Sequence, residues 1–291
     1  MKKTYTILLL GSFLMNSGFI HAQQDRYDWP EVKKESKTWT RWWWMGSAVD
    51  KKNISRSLIA FKKAGIGGVE IEPIYGVKGQ EESFIDFLSP KWIDMLGHTV
   101  RVADSLQMGV DLNLGTGWPW GGAGVSLADA AKRLLVRKLE LKKGRLFSET
   151  VSPFETGALI YPVERDIRVL DSKKGRPILK GVFAFDAFNN FVDLSNKIIN
   201  EQLEWKATDK DFDLFFVFED RTRQKVKRSA PGGEGWVLDH FSPQALRNYL
   251  QLFSNALGKT DGKIRSVFND SYEVYKACLL YTSDAADEED S

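Results

Sequence analysis

Cysteine is almost missing from this chain of 291 residues: Cys278 stands alone. No intrachain disulfide is therefore possible, and stability must come from core burial. Histidine is nearly as scarce, with three in all. His21 lies in a leader-like segment, which leaves His98 and His240 and excludes a His-rich zinc site. Excess charge is also lacking. The net charge is +2 and the Lys and Arg residues are scattered, so no nucleic-acid footprint is present. Beyond the N-terminus there is no apolar run long enough for a membrane span.

The N-terminus has a basic start at Lys2 and Lys3, an apolar stretch from Ile7 to Ile20, and a small residue at Ala22 suited to cleavage. Residues 1–22 read as a signal peptide, which predicts a periplasmic or secreted protein with no transmembrane segment once it is removed. Residues 276–291 break the preceding pattern and read as a non-native tail, with the natural chain continuing beyond Tyr275.

The remaining sequence alternates two periodicities. Residues 38–45 (Thr-Trp-Thr-Arg-Trp-Trp-Trp-Met) are β-prone. Asp50 is placed to cap a helix over 51–64, whose apolar face is Ile54, Leu58 and Phe61, with Gly65 as its stop. Asn53-Ile54-Ser55 fits a glycosylation pattern but lies inside that helix and is discounted. The run Gly67-Gly-Val-Glu-Ile-Glu-Pro73 predicts a strand with Val69 and Ile71 on one face and Glu70 and Glu72 on the other. Ser89-Pro90 starts a second helix, lined by Trp92, Met95, Thr99, Val102 and Leu106. Gly109 leads into a third strand, in which Asp111 and Asn113 alternate with apolar residues. After a break near Ser126, residues 130–228 read as a β-rich insertion. Ser242-Pro243 then opens another helix, and Lys263–Phe268 form a further strand.

Strand and helix in alternation predict parallel βα units. Polar residues on the inner face of successive strands favour a barrel over a doubly wound sheet, whose strands are apolar throughout. The expected fold class is α/β, a partial TIM (β/α)8-type barrel with a β-rich insertion. Residues 23–129 would form its first βα units and 229–275 its continuation.

Barrel enzymes place their chemistry at the C-terminal ends of strands. Glu273 follows a β-run there, beside Tyr272 and Tyr275, whose rings would desolvate it as a general acid requires. Glu72 is the second carboxyl; its alternative reading is a buried acid paired with Arg41, and Glu70 reads as structural. Gly115-Thr-Gly-Trp118-Pro-Trp120 lacks the spacing of a nucleotide loop and any P-loop lysine. Its tryptophans, with Trp44 and its neighbours, suit stacking on a sugar ring. Asn113, Asp239 and His240 are the remaining candidates for binding a substrate or a metal.

Taken together, Arg41–Gly46, Gly65–Gly76, Leu88-Ser-Pro90 with Trp92, Gly115–Trp118, Pro231–Asp239 and Asn269–Tyr275 resemble glycoside hydrolase family 106, the secreted bacterial α-L-rhamnosidases. The resemblance implies inverting hydrolysis by two carboxylic acids on a TIM-like barrel, calcium assistance, and an oligo- or polysaccharide substrate. The family's general acid matches Glu273, and its second carboxylate would lie on a later strand. Inverting enzymes hold such a pair about 6.5–9.5 Å apart. Two alternatives are a retaining enzyme that pairs Glu72 with Glu273 about 5–5.5 Å apart, and a non-catalytic carbohydrate-binding protein.

Overall fold

The computed structural model describes residues 30–161, 175–258 and 263–274. The predicted signal peptide, the tail with Cys278, and Tyr275 lie outside these residues.

A parallel sheet carries the first βα units. Strand β1 (Trp39–Met45) leads to helix α1 (Lys51–Lys63), β2 (Gly68–Ile74), α2 (Pro90–Ser105) and β3 (Gly109–Asn113). The helix starts are those the sequence dictates. Asp50 accepts a bond from the Asn53 amide at 2.9 Å, and Ser89 accepts one from the Trp92 amide at 3.2 Å. The Asn53 side chain also turns back onto Asp50. Both helices pack on one face of the sheet. Trp44 sits against Trp92 with ring centroids 5.9 Å apart, and Trp42 against Phe61 at 5.5 Å.

After β3 the chain departs. Strand β4 (Gly121–Gly122) comes first, followed by β5 (Lys132–Leu141), β6 (Leu146–Thr150), β7 (Ala158–Tyr161), β8 (Ile178–Phe185), β9 (Phe191–Asp193), β10 (Ile198–Ile199), β11 (Gln202–Lys206) and β12 (Phe212–Arg221). Five of them form an antiparallel sheet in the order β7-β5-β12-β8-β9, and three form another, β10-β11-β6. These strands share a core of their own, with Leu135, Phe147, Val182, Leu203, Phe216 and Phe218 among its buried members. Strict alternation in β12 puts Phe212, Leu214, Phe216 and Phe218 inside. The excursion closes where β13 (Trp236–Val237) pairs with β4, and Ala131 donates to Val237 at 2.9 Å.

Helix α3 (Pro243–Leu257), capped by Ser242, then leads to β14 (Ile264–Phe268). The parallel sheet has the order β1-β2-β3-β14. Spatial order follows chain order across these four strands. A doubly wound sheet reverses its order at a switch point, and these strands show no reversal.

The face away from the helices is layered. In parallel strands, register neighbours project to the same side. At the N-terminal end, the Trp39 indole covers Gly68 and Gly109, its neighbours in register; a Cβ on either glycine would collide with the ring. Arg41, Glu70 and Asp111 form the next layer. Trp43 and Glu72 form the one above.

Candidate active site

The charged layer is internally satisfied. Arg41 Nε donates to Glu70 Oε1 at 2.8 Å, and its Nη1 lies 3.6 Å from Asp270 Oδ2. The Arg41 guanidinium lies over the Phe268 ring, 4.4 Å from its centroid. Arg265 Nε donates to Asp111 Oδ1 at 3.0 Å. Arg41, the partner the sequence offers for Glu72, gives its hydrogen bond to Glu70 instead.

Glu72 is left with a different environment. It is fully buried, and Asn113 Nδ2 donates to its Oε1 at 2.6 Å. Its Oε2 and the Asn113 Oδ1 are buried without a partner, as is Asn269 Oδ1 just after β14. Burial pushes the Glu72 carboxyl from 4.5 up to about 7, against the Asn113 hydrogen bond and the Arg41 charge, which favour ionisation. Asp270 and Glu70 add to the upward push.

Glu273 lies beyond the end of β14. Ser271 Oγ donates to its Oε1 at 2.9 Å, and Lys227 Nζ lies 3.4 Å from Oε2. Its side chain is 40% exposed. The sequence expectation placed this carboxyl among desolvating tyrosines. Tyr272 instead is mostly exposed, its ring tilted against His240 with centroids 4.8 Å apart, and Tyr275 lies outside the described residues. The buried carboxyl near neutrality is Glu72.

Backbone pairing joins these positions. Gly117 N donates to Pro73 O at 3.3 Å, directly after Glu72. Trp118 exchanges backbone bonds with Lys227, at 3.1 and 2.7 Å, and Lys227 is the residue that reaches Glu273. Gly117 has φ +62, and any Cβ there would meet the Lys227 carbonyl, so the crossing requires glycine. Glu72, Asn113, Trp118 and Glu273 thus share the C-terminal edge of the parallel sheet.

Three predicted binders have other placements. Trp44 is buried on the helix-facing side, opposite Glu72, because adjacent residues of a strand point to opposite faces. Trp43, its neighbour, shares the Glu72 face and is 45% exposed. Register pairing with Glu72 puts Trp43, not Trp44, on this face. Asp239 is buried in a turn, where it accepts from the Phe241 amide at 3.2 Å and lies 3.6 Å from Lys132 Nζ. His240 is half-buried, and burial lowers its imidazole below the ordinary range. Trp120, the second tryptophan of its loop, is anchored by its Nε1 to Leu114 O at 2.7 Å.

Among the described residues, no group of three or more His, Cys, Asp or Glu side chains is gathered for a metal. The unpartnered oxygens of Glu72 and Asn113 are hard donors of the type calcium takes.

Comparison with known proteins adds a family. The family model described as alpha-L-rhamnosidase, glycoside hydrolase 106, matches residues 30–179. A search of curated proteins finds no match. Among solved structures, the chain is similar to a rhamnosidase from Novosphingobium sp. PP1Y, with a TM-score of 0.61 and 14% sequence identity. That likeness, one of fold, covers 86% of this chain and 40% of the other, so the chain spans less than half the length of that rhamnosidase.

Proposed function

Because the chain belongs to glycoside hydrolase family 106, the alpha-L-rhamnosidases, we propose that it forms part of an exported enzyme that hydrolyses terminal rhamnosides of oligo- or polysaccharides. In this reading the four parallel strands are the first of a (β/α)8-type barrel, and their C-terminal edge is one wall of the active site. Residues 130–228 are an insertion carried by the barrel.

One observation carries the reading: two carboxyl groups, Glu72 and Glu273, occupy the same edge of the sheet in opposite surroundings. Access divides their roles. Glu273 is the one a substrate reaches, so it is the general acid that protonates the leaving oxygen. Ser271 orients it through the hydrogen bond from its hydroxyl to Oε1. Glu72 is closed off from solvent and works from behind, fixing Asn113 through its hydrogen bond. Its burial disfavours the retaining alternative, in which it would have to attack the sugar directly. The inverting reading takes its second carboxylate from a later strand. Trp43 and Trp118 offer apolar faces to the ring.

Calcium fits this edge in donor type, with Glu72 Oε2 and Asn113 Oδ1 the residues that would hold it. A bound cation would neutralise the buried carboxylate and draw sugar hydroxyls to the edge.

The test is hydrolysis of an aryl α-L-rhamnoside by the natural protein that carries this chain. Glu273→Gln should abolish turnover and leave the circular dichroism spectrum unchanged; undiminished turnover would place the acid elsewhere. Proton NMR of the first-formed sugar anomer separates inversion from retention. Rhamnoside binding without turnover in the unaltered protein would favour the carbohydrate-binding alternative.

A further inference from the structure

Away from the sheet edge, the β-rich part holds an unbalanced set of cations around a groove. Two concavities, of about 460 and 170 Å3, adjoin through Arg176 and Ile178, which line both. Lys180 lines the larger, and Arg221 and Arg223 line the smaller together with the loop at Leu127 and Ala128. Among the described residues, neither is lined by a tryptophan or tyrosine.

The carboxylates here are outnumbered. Asp220 Oδ2 alone receives Arg133 Nε at 2.9 Å and Arg223 Nη1 at 2.8 Å. Glu219 receives Arg221 at 2.8 Å, Lys180 at 3.1 Å and Lys132 at 3.7 Å. Glu201, which also lines the larger concavity, takes Arg176 at 2.9 Å. Among the described residues three acids therefore face six cations, and counting Asp239, which Lys132 also approaches, still leaves an excess of cations. Burial pushes the Glu219 carboxyl up, yet Arg221 and Lys180 hold it below its ordinary range. The Arg223 side chain is only 5% exposed, and its Nε has no partner. Buried cations that exceed their counter-ions are costly unless another anion joins them.

We propose that this groove binds the carboxylate of an acidic saccharide, a uronate unit of the polysaccharide chain on which the enzyme acts. The ligand class rests on the glycosidase reading; the need for an anion rests on the charge count alone. A planar carboxylate matches the guanidinium fork. With no aromatic platform in the groove, attraction is electrostatic and weakens with salt.

The experiment is titration calorimetry of the protein with a tetragalacturonate, beside its carboxyl-reduced neutral counterpart and inorganic sulfate. The exposed pair Arg176 and Lys180 is replaced in an R176A/K180A variant, which leaves the buried arginines in place. The acidic oligomer should bind, lose affinity as salt rises, and bind the variant about tenfold more weakly. The neutral oligomer should not bind. Equal binding of both oligomers, unchanged affinity in the variant, or sulfate binding as tightly as the uronate would each overturn the proposal. Hydrolysis of a neutral aryl rhamnoside should be the same in variant and parent. Uronate binding by a protein that hydrolyses no rhamnoside would sink the glycosidase reading and leave the anion site standing.

Discussion

Glu72→Gln should make the protein more stable at alkaline pH while disabling the site. In the fold, the Glu72 carboxyl ionises near 7 rather than 4.5, chiefly because it is buried. Between those values the folded chain keeps a proton that the unfolded chain has released, so stability falls as pH rises through that window. At about 1.4 kcal/mol per pH unit the loss is about 3 kcal/mol, complete above neutrality. Glutamine cannot ionise. Its amide oxygen can still accept from Asn113 Nδ2, and its amide nitrogen can donate to the unpartnered Asn113 Oδ1. The variant should therefore match the parent at pH 4 and exceed it by about 3 kcal/mol at pH 8. Urea unfolding at both pH values, with a chelator present so that no cation offsets the buried charge, measures this directly. A stability difference that is the same at both pH values would refute the burial argument.

Four further substitutions test the surroundings of this edge. Gly117→Ala adds a Cβ against the Lys227 carbonyl at a φ of +62, so it should cost about 3 kcal/mol, read as a lower urea midpoint. Tyr249→Phe removes a buried hydroxyl that has one proton for two carbonyls, Leu114 O and Gly121 O, each at 2.8 Å; about 1 kcal/mol should be lost in the same assay. Trp43→Ala should raise KM about fivefold with little change in Tm, as expected for lost stacking worth about 1 kcal/mol. Trp44→Ala, by contrast, should lower stability by about 3–5 kcal/mol through the cavity it leaves.

The parallel sheet was legible because its signals are local. Asp50, Ser89 and Ser242 each stand one residue before a helix, and each side chain caps it as the sequence implies. The β-rich strands were read where alternation is long, as in Phe212–Arg221. Short strands such as Ile198–Ile199 carry too few residues to show a period. At the site, alternation places Glu70 and Glu72 on one face, but pairing is decided in three dimensions. Arg41 stands beside Glu70 in register, one layer below Glu72, and no pattern within a single strand reveals that offset. In the run Trp42–Trp44 three identical residues hide which one faces the site; register with Glu72 shows that it is Trp43, while Trp44 is core. The Lys227–Glu273 pair joins residues far apart in the chain, through a crossing visible only as Gly117.

The bond from Ala131 to Val237 means that the long antiparallel excursion starts and finishes at one spot. The entropy of tying a loop grows only with the logarithm of its length. The parallel strands are therefore nearly indifferent to how much chain hangs from that knot. Descendants of this gene are free to trim, enlarge or exchange the appendage, and with it the cationic groove, while the parallel strands keep their register.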